Sequence, residues 1–285
     1  DYRKVLGLER IRELCSLLGN PQDAAPSVHI VGTKGKGSTA AIAQSIFSAA
    51  GLRAGLYTSP HLVSFRERIR VGDELISEEA VARLTEEIER AVDSMAGEKP
   101  TVFELYTALA FLYFKEAKAD IVVYEVGLGG RLDATNIITP LAAAITPVSY
   151  EHTDKLGDTL GKIMHEKAGI VKERGVVISA PQEHEAAAEL RKVCHERHAT
   201  LYMVGHDITL HEHAVNEARE LFSVTARKGR YRDLEMKLLG AHQLVNAATA
   251  IGMAEAVSDR GIAVSADAIR RGVAAARWPG RLEAV

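Results

Sequence analysis

The run Gly32-Thr33-Lys34-Gly35-Lys36-Gly37-Ser38-Thr39 follows the apolar residues 28–31 and leads into a small-residue stretch at 40–50. That order predicts a buried strand, a glycine loop and a helix. Three glycines let the backbone turn its N–H groups toward one anion, and the helix N-terminus adds the positive end of its dipole. Lys36 is placed to neutralise phosphate oxygens, and Ser38 to reach a Mg²⁺ ion. Two lysines at a helix start, Lys34 and Lys36, oppose the dipole unless an anion is bound. Residues 32–39 are therefore expected to cradle a nucleoside triphosphate. Because Gly37 separates Lys36 from Ser38, the spacing is not the usual Walker pattern, and a glycine turn without a ligand is the alternative.

The rest of the chain alternates strand and helix. A helix is expected over 2–18, stopped by Gly19-Asn20-Pro21, and another over 39–50. A short strand at 53–57 precedes an irregular stretch, 58–68, whose mix of Pro, aromatic and charged residues suits a functional loop. Helices at 77–96 and 101–117, strands at 119–126 and 142–145, a helix at 158–172 and a strand–helix–strand unit over 176–204 complete the rhythm. This predicts an α/β fold, a parallel sheet with helices on both faces. From about 206 to 239 the pattern alternates polar and apolar residues around Arg227-Lys228-Gly229-Arg230, predicting a small antiparallel sheet. Helices at 241–259 and 265–275 follow.

Composition excludes several functions. The 285 residues carry a net charge of −3, which leaves no footprint for nucleic acid. Cys15 and Cys194 lie far apart and form neither a disulfide framework nor a metal-ligand pair. No apolar run approaches the roughly 20 residues needed to span a bilayer. A cytoplasmic setting, with no membrane partner, is expected.

Ligands of an open parallel sheet bind beyond the carboxyl ends of its strands, which directs attention to the residues there. Glu125 ends an apolar strand, where a carboxylate needs a partner or a metal; an ordinary exposed glutamate is the alternative. His152 and Asp154 follow the strand at 142–145 in a polar loop. Lys167 lies on a helix, where periodicity alone makes it a solvated lysine.

Taken together, the glycine loop, Tyr57-Thr58-Ser59-Pro60-His61-Leu62, Glu125-Val126-Gly127-Leu128-Gly129-Gly130-Arg131-Leu132-Asp133-Ala134-Thr135-Asn136 and His165-Glu166-Lys167-Ala168-Gly169-Ile170 resemble the folylpolyglutamate synthase and dihydrofolate synthase family, relatives of the Mur ligases. Gly240-Ala241-His242-Gln243-Leu244-Val245-Asn246-Ala247 and Trp278-Pro279-Gly280-Arg281-Leu282-Glu283 extend the match along the chain. The resemblance implies a phosphate-loop fold of the Mur ligase central type. It also implies an ATP-dependent ligase: a folate or dihydropteroate carboxylate attacks the γ-phosphate, and L-glutamate captures the acyl phosphate.

By the same resemblance Lys36 and the loop amides hold the phosphates, Ser59 and Glu125 ligate a first Mg²⁺ and His152 a second. Lys167 becomes a carbamate. His242, Asn246 and Arg281 serve the nucleotide, with Gln243 beside them. The loop bearing Pro60, His61, Phe65 and Arg66 closes over the pterin-bearing substrate, Phe65 offering a stacking face and Arg66 a carboxylate partner. A monomer is expected.

The chain departs from the family pattern at Lys34, usually Asn, and at Glu151, usually Asp, beside His152. Family members also carry a second, smaller domain after Trp-Pro-Gly-Arg. Residues 1–285 are accordingly expected to form one ATP-binding domain that ends in the interdomain linker near 278–285, inactive by itself. A Mur-type ligase for another acid, and a non-catalytic nucleotide-binding module, are the competing readings.

Overall fold

The computed structural model describes residues 7–216 and 219–280. The part of the first expected helix that falls on residues 2–6, and Arg281, lie outside the described residues. The chain runs α1 (Glu9–Leu17), β1 (Ser27–Val31), α2 (Lys36–Ala49), β2 (Ala54–Tyr57), β3 (Ile69–Val71), β4 (Glu74–Leu75), α3 (Glu78–Asp93), α4 (Val102–Glu116) and β5 (Ile121–Glu125). It continues through β6 (Ala142–Ile145), the short α5 (Thr153–Leu156), α6 (Leu160–Ala168), β7 (Val176–Ser179), α7 (His184–Glu196) and β8 (Thr200–Met203). Strands β9 (Thr209–Asn216), β10 (Arg219–Ala226) and β11 (Gly229–Met236) and helices α8 (Ala241–Asp259) and α9 (Ala266–Ala275) follow.

Eight strands form one sheet in the order β4-β3-β2-β5-β1-β6-β7-β8, and β9 to β11 form a separate antiparallel sheet. The pairs from β2 through β8 are parallel, whereas β3 and β4 are antiparallel additions at the edge. These two edge strands lie just beyond the stretch expected to be irregular. The expected helix at 158–172 is shorter, ending at Ala168, and Gly157 separates it from α5.

β1 and β5 are buried along their whole length, as parallel strands covered on both faces must be. Alternation sends Val28 and Ile30 to one face, against α2, α8, α9 and the small sheet. On the other face, Tyr124 meets α1, α3 and α4, while Val31 and Ile145 meet α6 and α7. Helix α2 is apolar around much of its circumference and sits at the centre of its layer. Gly272 of α9 packs on its backbone so closely that an added Cβ would lie 2.3 Å from Ile46 Cα. Burying Ile42, Ile46 and Phe47 contributes about 1.5–3 kcal/mol each, which fixes the helix that follows the glycine loop.

Candidate active site

β1 sits between β5 and β6, so the loop leaving it emerges mid-sheet, beside the end of β5. Ile30 pairs with Glu125. Thr33 and Lys34 N–H groups donate to Pro147 O at 3.0 and 3.3 Å, anchoring the loop to the segment after β6. Gly35 is the N-cap of α2 in the left-handed region, φ 85, and the helix start has no side-chain cap. Its first N–H groups are thus left for an anion. Lys36 Nζ donates to the loop carbonyls Gly32 O (3.1 Å) and Thr33 O (3.4 Å). Lys34 is exposed, whereas Ser38 and Thr39 are buried.

Distant residues cover the loop glycines. A methyl on Gly35 would lie 2.4 Å from Asn246 Oδ1, and one on Gly37 would lie 2.9 Å from the Trp278 ring. Asn246 is itself fixed by its amide, which donates to Gln243 Oε1 at 2.8 Å. His242, on the same helix, is exposed.

Two cavities meet at the loop. The smaller, of about 50 Å³, is lined by Gly32, Lys36, Glu151, His152, Lys167 and the turn at 126–129. Lys167 is almost wholly buried, and its Nζ donates to Glu151 Oε1 at 2.6 Å and to Gly32 O at 3.0 Å. Burial pushes the Lys167 ammonium below the usual lysine range, with Glu151 opposing. Burial would raise Glu151, but the Lys167 ammonium outweighs it and holds the carboxyl low. Periodicity alone misplaced Lys167 in solvent. His152, exposed and at φ 44, stands at the mouth of this cavity.

The larger cavity, about 570 Å³, shares Lys36, Gly127 and Leu128 with the smaller one. Ser59 and Pro60 line it, and the Ser59 N–H donates to Glu125 Oε2 at 3.1 Å. Its apolar wall is Phe103, Leu128, Leu132 and Ala134, and its cations besides Lys36 are Arg10 and Arg68. Arg68 Nε donates to His61 Nδ1 at 2.8 Å, and its guanidinium lies over the Tyr106 ring. Glu104 completes a capping box with Thr101, yet its Oε1 is buried without a partner. Asp133 accepts from the N–H groups of Gly127, Leu128 and Thr135 and from Thr135 Oγ1, clamping the turn between the cavities.

Phe65 and Arg66 are not brought to this cavity. Phe65 packs on Tyr106 with ring centroids 4.6 Å apart, and Arg66 donates to Ile76 O and pairs with Glu78. Arg10, Phe103 and Glu104 come from helices whose sequence pattern reads as packing. Only the Thr101 to Glu104 capping box is visible beforehand.

Residues 30–254 match the Mur ligase middle domain. A solved FPGS–AMPPCP–folate complex superimposes with a TM-score of 0.93 at 35% identity, over 96% of this chain and 68% of that one. The chain belongs to the folylpolyglutamate/dihydrofolate synthase branch of the Mur ligases. The dihydrofolate synthase/folylpolyglutamate synthase of Bacillus subtilis is 41% identical over 286 residues, covering 98% of this chain and 66% of that protein. Folylpolyglutamate synthase of Mycobacterium tuberculosis, solved with ADP, matches with a TM-score of 0.91 at 36% identity, over 97% of this chain and 63% of that one. The chain thus spans about two thirds of the length of such relatives. No described helix is long and apolar enough to cross a membrane.

Among the described residues no three His, Cys, Asp or Glu side chains converge as a metal cluster. Nucleotide-bound Mg²⁺ takes one or two protein oxygens plus phosphates and waters. The buried Glu125 carboxylate, which accepts from the Ser59 N–H beside the loop, supplies a hard oxygen of that kind.

Proposed function

We propose that this chain carries the ATP and acid-substrate side of a ligase that joins L-glutamate to a folate or dihydropteroate carboxylate. The observation that carries the reading is the position of Lys36, on the wall shared by a small polar cavity and a substrate-sized apolar one. The substrate carboxylate oxygen attacks the γ-phosphorus, forming the acyl phosphate and releasing ADP. The glutamate amine then attacks the acyl carbon, and orthophosphate leaves. In the first step the loop N–H groups and Lys36 take the developing phosphate charge, for which Lys36 exchanges its loop carbonyls. Phe103 and Leu132 receive the flat ring system, Arg10 or Arg68 the charged end, and Asp133 holds the turn between them. The loop with Pro60 and His61 borders this cavity, while Phe65 and Arg66 support it from behind.

Mg²⁺ supplies charge neutralisation between phosphates; Ser38, Ser59 and Glu125 would hold one ion, and His152 with a modified Lys167 a second. Burial enlarges the neutral fraction of Lys167, the form whose nitrogen adds CO₂ with loss of a proton. The amine must first leave Glu151. On the nucleotide side, Asn246 flanks the loop and His242 lies one helical turn before it on α8, with Arg281 assigned there by motif alone. We place residues 1–285 in one ATP-binding unit, working as a cytoplasmic monomer. Calorimetry with ATP, with and without Mg²⁺, tests the core of the reading: ATP binding that needs Mg²⁺ and is lost in Lys36→Ala is expected, and binding indifferent to both would overturn it. Incubation with labelled CO₂ and ¹³C NMR tests the carbamate.

A further inference from the structure

A second polar cavity, about 220 Å³, lies between α2, α9 and the β3–β4 turn, on the sheet face opposite the substrate-sized cavity. Three arginines line it, Arg70, Arg271 and Arg277, against one acid, Asp73. Arg70 Nε is buried with no acceptor, and its Nη2 makes only a long 3.4 Å bond to Gln44 Oε1. Arg271 is fixed as one wall by Asp267 and by Ala49 O, each at 2.7 Å. Arg277 is exposed and forms no ion pair with any described residue. Three guanidiniums around one space repel one another, and the buried donor of Arg70 is left unsatisfied. An oxyanion removes both defects, because planar guanidinium forks match phosphate and carboxylate oxygens.

We propose that this cleft binds a small phosphate- or carboxylate-bearing anion, held by Arg70, Arg271 and Arg277. Its occupancy is felt at the glycine loop. The Arg70 guanidinium stands 5.6 Å from the Trp278 ring, and that ring abuts Gly37. An anion that draws Arg70 toward the cleft weakens its hold on Trp278, and through it the packing of the loop.

Trp278 is the only tryptophan of the chain and serves as its own reporter. Inorganic phosphate and malonate are titrated separately into the 285-residue chain at ionic strength fixed with chloride, following Trp278 fluorescence and heat. Phosphate also enters the glycine loop, so the titrations are repeated in Lys36→Ala. Saturable binding that persists in Lys36→Ala, weakens about tenfold in Arg277→Ala and Arg70→Gln, and ignores Arg90→Ala on the opposite face is expected. Arg277 is exposed, so its variant folds even if Arg70→Gln does not. The tighter of the two anions identifies the ligand class. Binding that disappears in Lys36→Ala yet survives both cleft variants, or no binding of either anion, would overturn the proposal without touching the ligase reading.

Discussion

Replacing Gly35 by alanine tests whether the loop shape is imposed from outside. The new residue must adopt φ 85, where an L-side chain costs about 1–2 kcal/mol. Its methyl would also stand 2.4 Å from Asn246 Oδ1, so Asn246 must move and give up its 2.8 Å bond to Gln243. That loss costs about 1 kcal/mol more, for a total of roughly 2–3 kcal/mol. In a domain of this size the midpoint should fall by about 5–10 °C. Asn246→Ala removes the obstructing amide, so in the double variant only the backbone cost of Gly35→Ala remains. Urea unfolding of the four chains, followed by circular dichroism, should therefore give a coupling of about 1 kcal/mol. Additive effects within about 0.5 kcal/mol would refute the argument that Asn246 shapes the loop. ATP affinity should fall with Gly35→Ala as the loop N–H groups turn away from their common focus.

Three further outcomes are expected. Lys36→Ala should weaken ATP binding at least tenfold by calorimetry while leaving the thermal midpoint within about 2 °C, since Nζ touches only loop carbonyls. Glu151→Gln should destabilise the chain at neutral pH. Because the folded carboxyl is held low, this stabilisation is present above the ordinary carboxylate range and fades as pH falls through it, so wild type and variant should converge in acid. A gap independent of pH would contradict the pairing with Lys167. His29, fully buried, is pushed down from 6.5 to about 3 by burial and by Lys172. The unfolded chain thus takes up a proton that the folded one refuses, and stability drops on acidification. His29→Gln should remove about 2–3 kcal/mol of the stability lost between pH 6.5 and 4, measured by urea titration at each pH.

Much of this was legible in the sequence because it is local. The glycine loop, the buried strands and the alternating 209–236 region announce themselves through periods of two and through glycine spacing, and the antiparallel strands fall within a few residues of their expected bounds. Glu125 stood out because a carboxylate at the end of an apolar strand needs a reason, and it is buried there rather than exposed. What stayed hidden is long-range. The Lys167–Glu151 pair joins two elements 16 residues apart, and Arg10 with Glu104 joins two helices 94 apart. β3 and β4 are three and two residues long, too short to show alternation. Phe65 and Arg66 carry the right chemistry for a substrate loop, but the short helical turn that holds them aims both at α3 and α4.

The cover over Gly35 and Gly37 has a consequence for the order of events during synthesis. Asn246 and Trp278, which sit on the loop, leave the ribosome long after it does. At about 5–20 residues per second the loop waits roughly 10–50 s for its last neighbour. Until then the nascent chain has a glycine loop without its external mould, free to sample shapes that scatter the N–H groups. Nucleotide can therefore grip only a chain extended past Trp278, and ATP captured by stalled chains of increasing length would mark the moment Trp278 arrives.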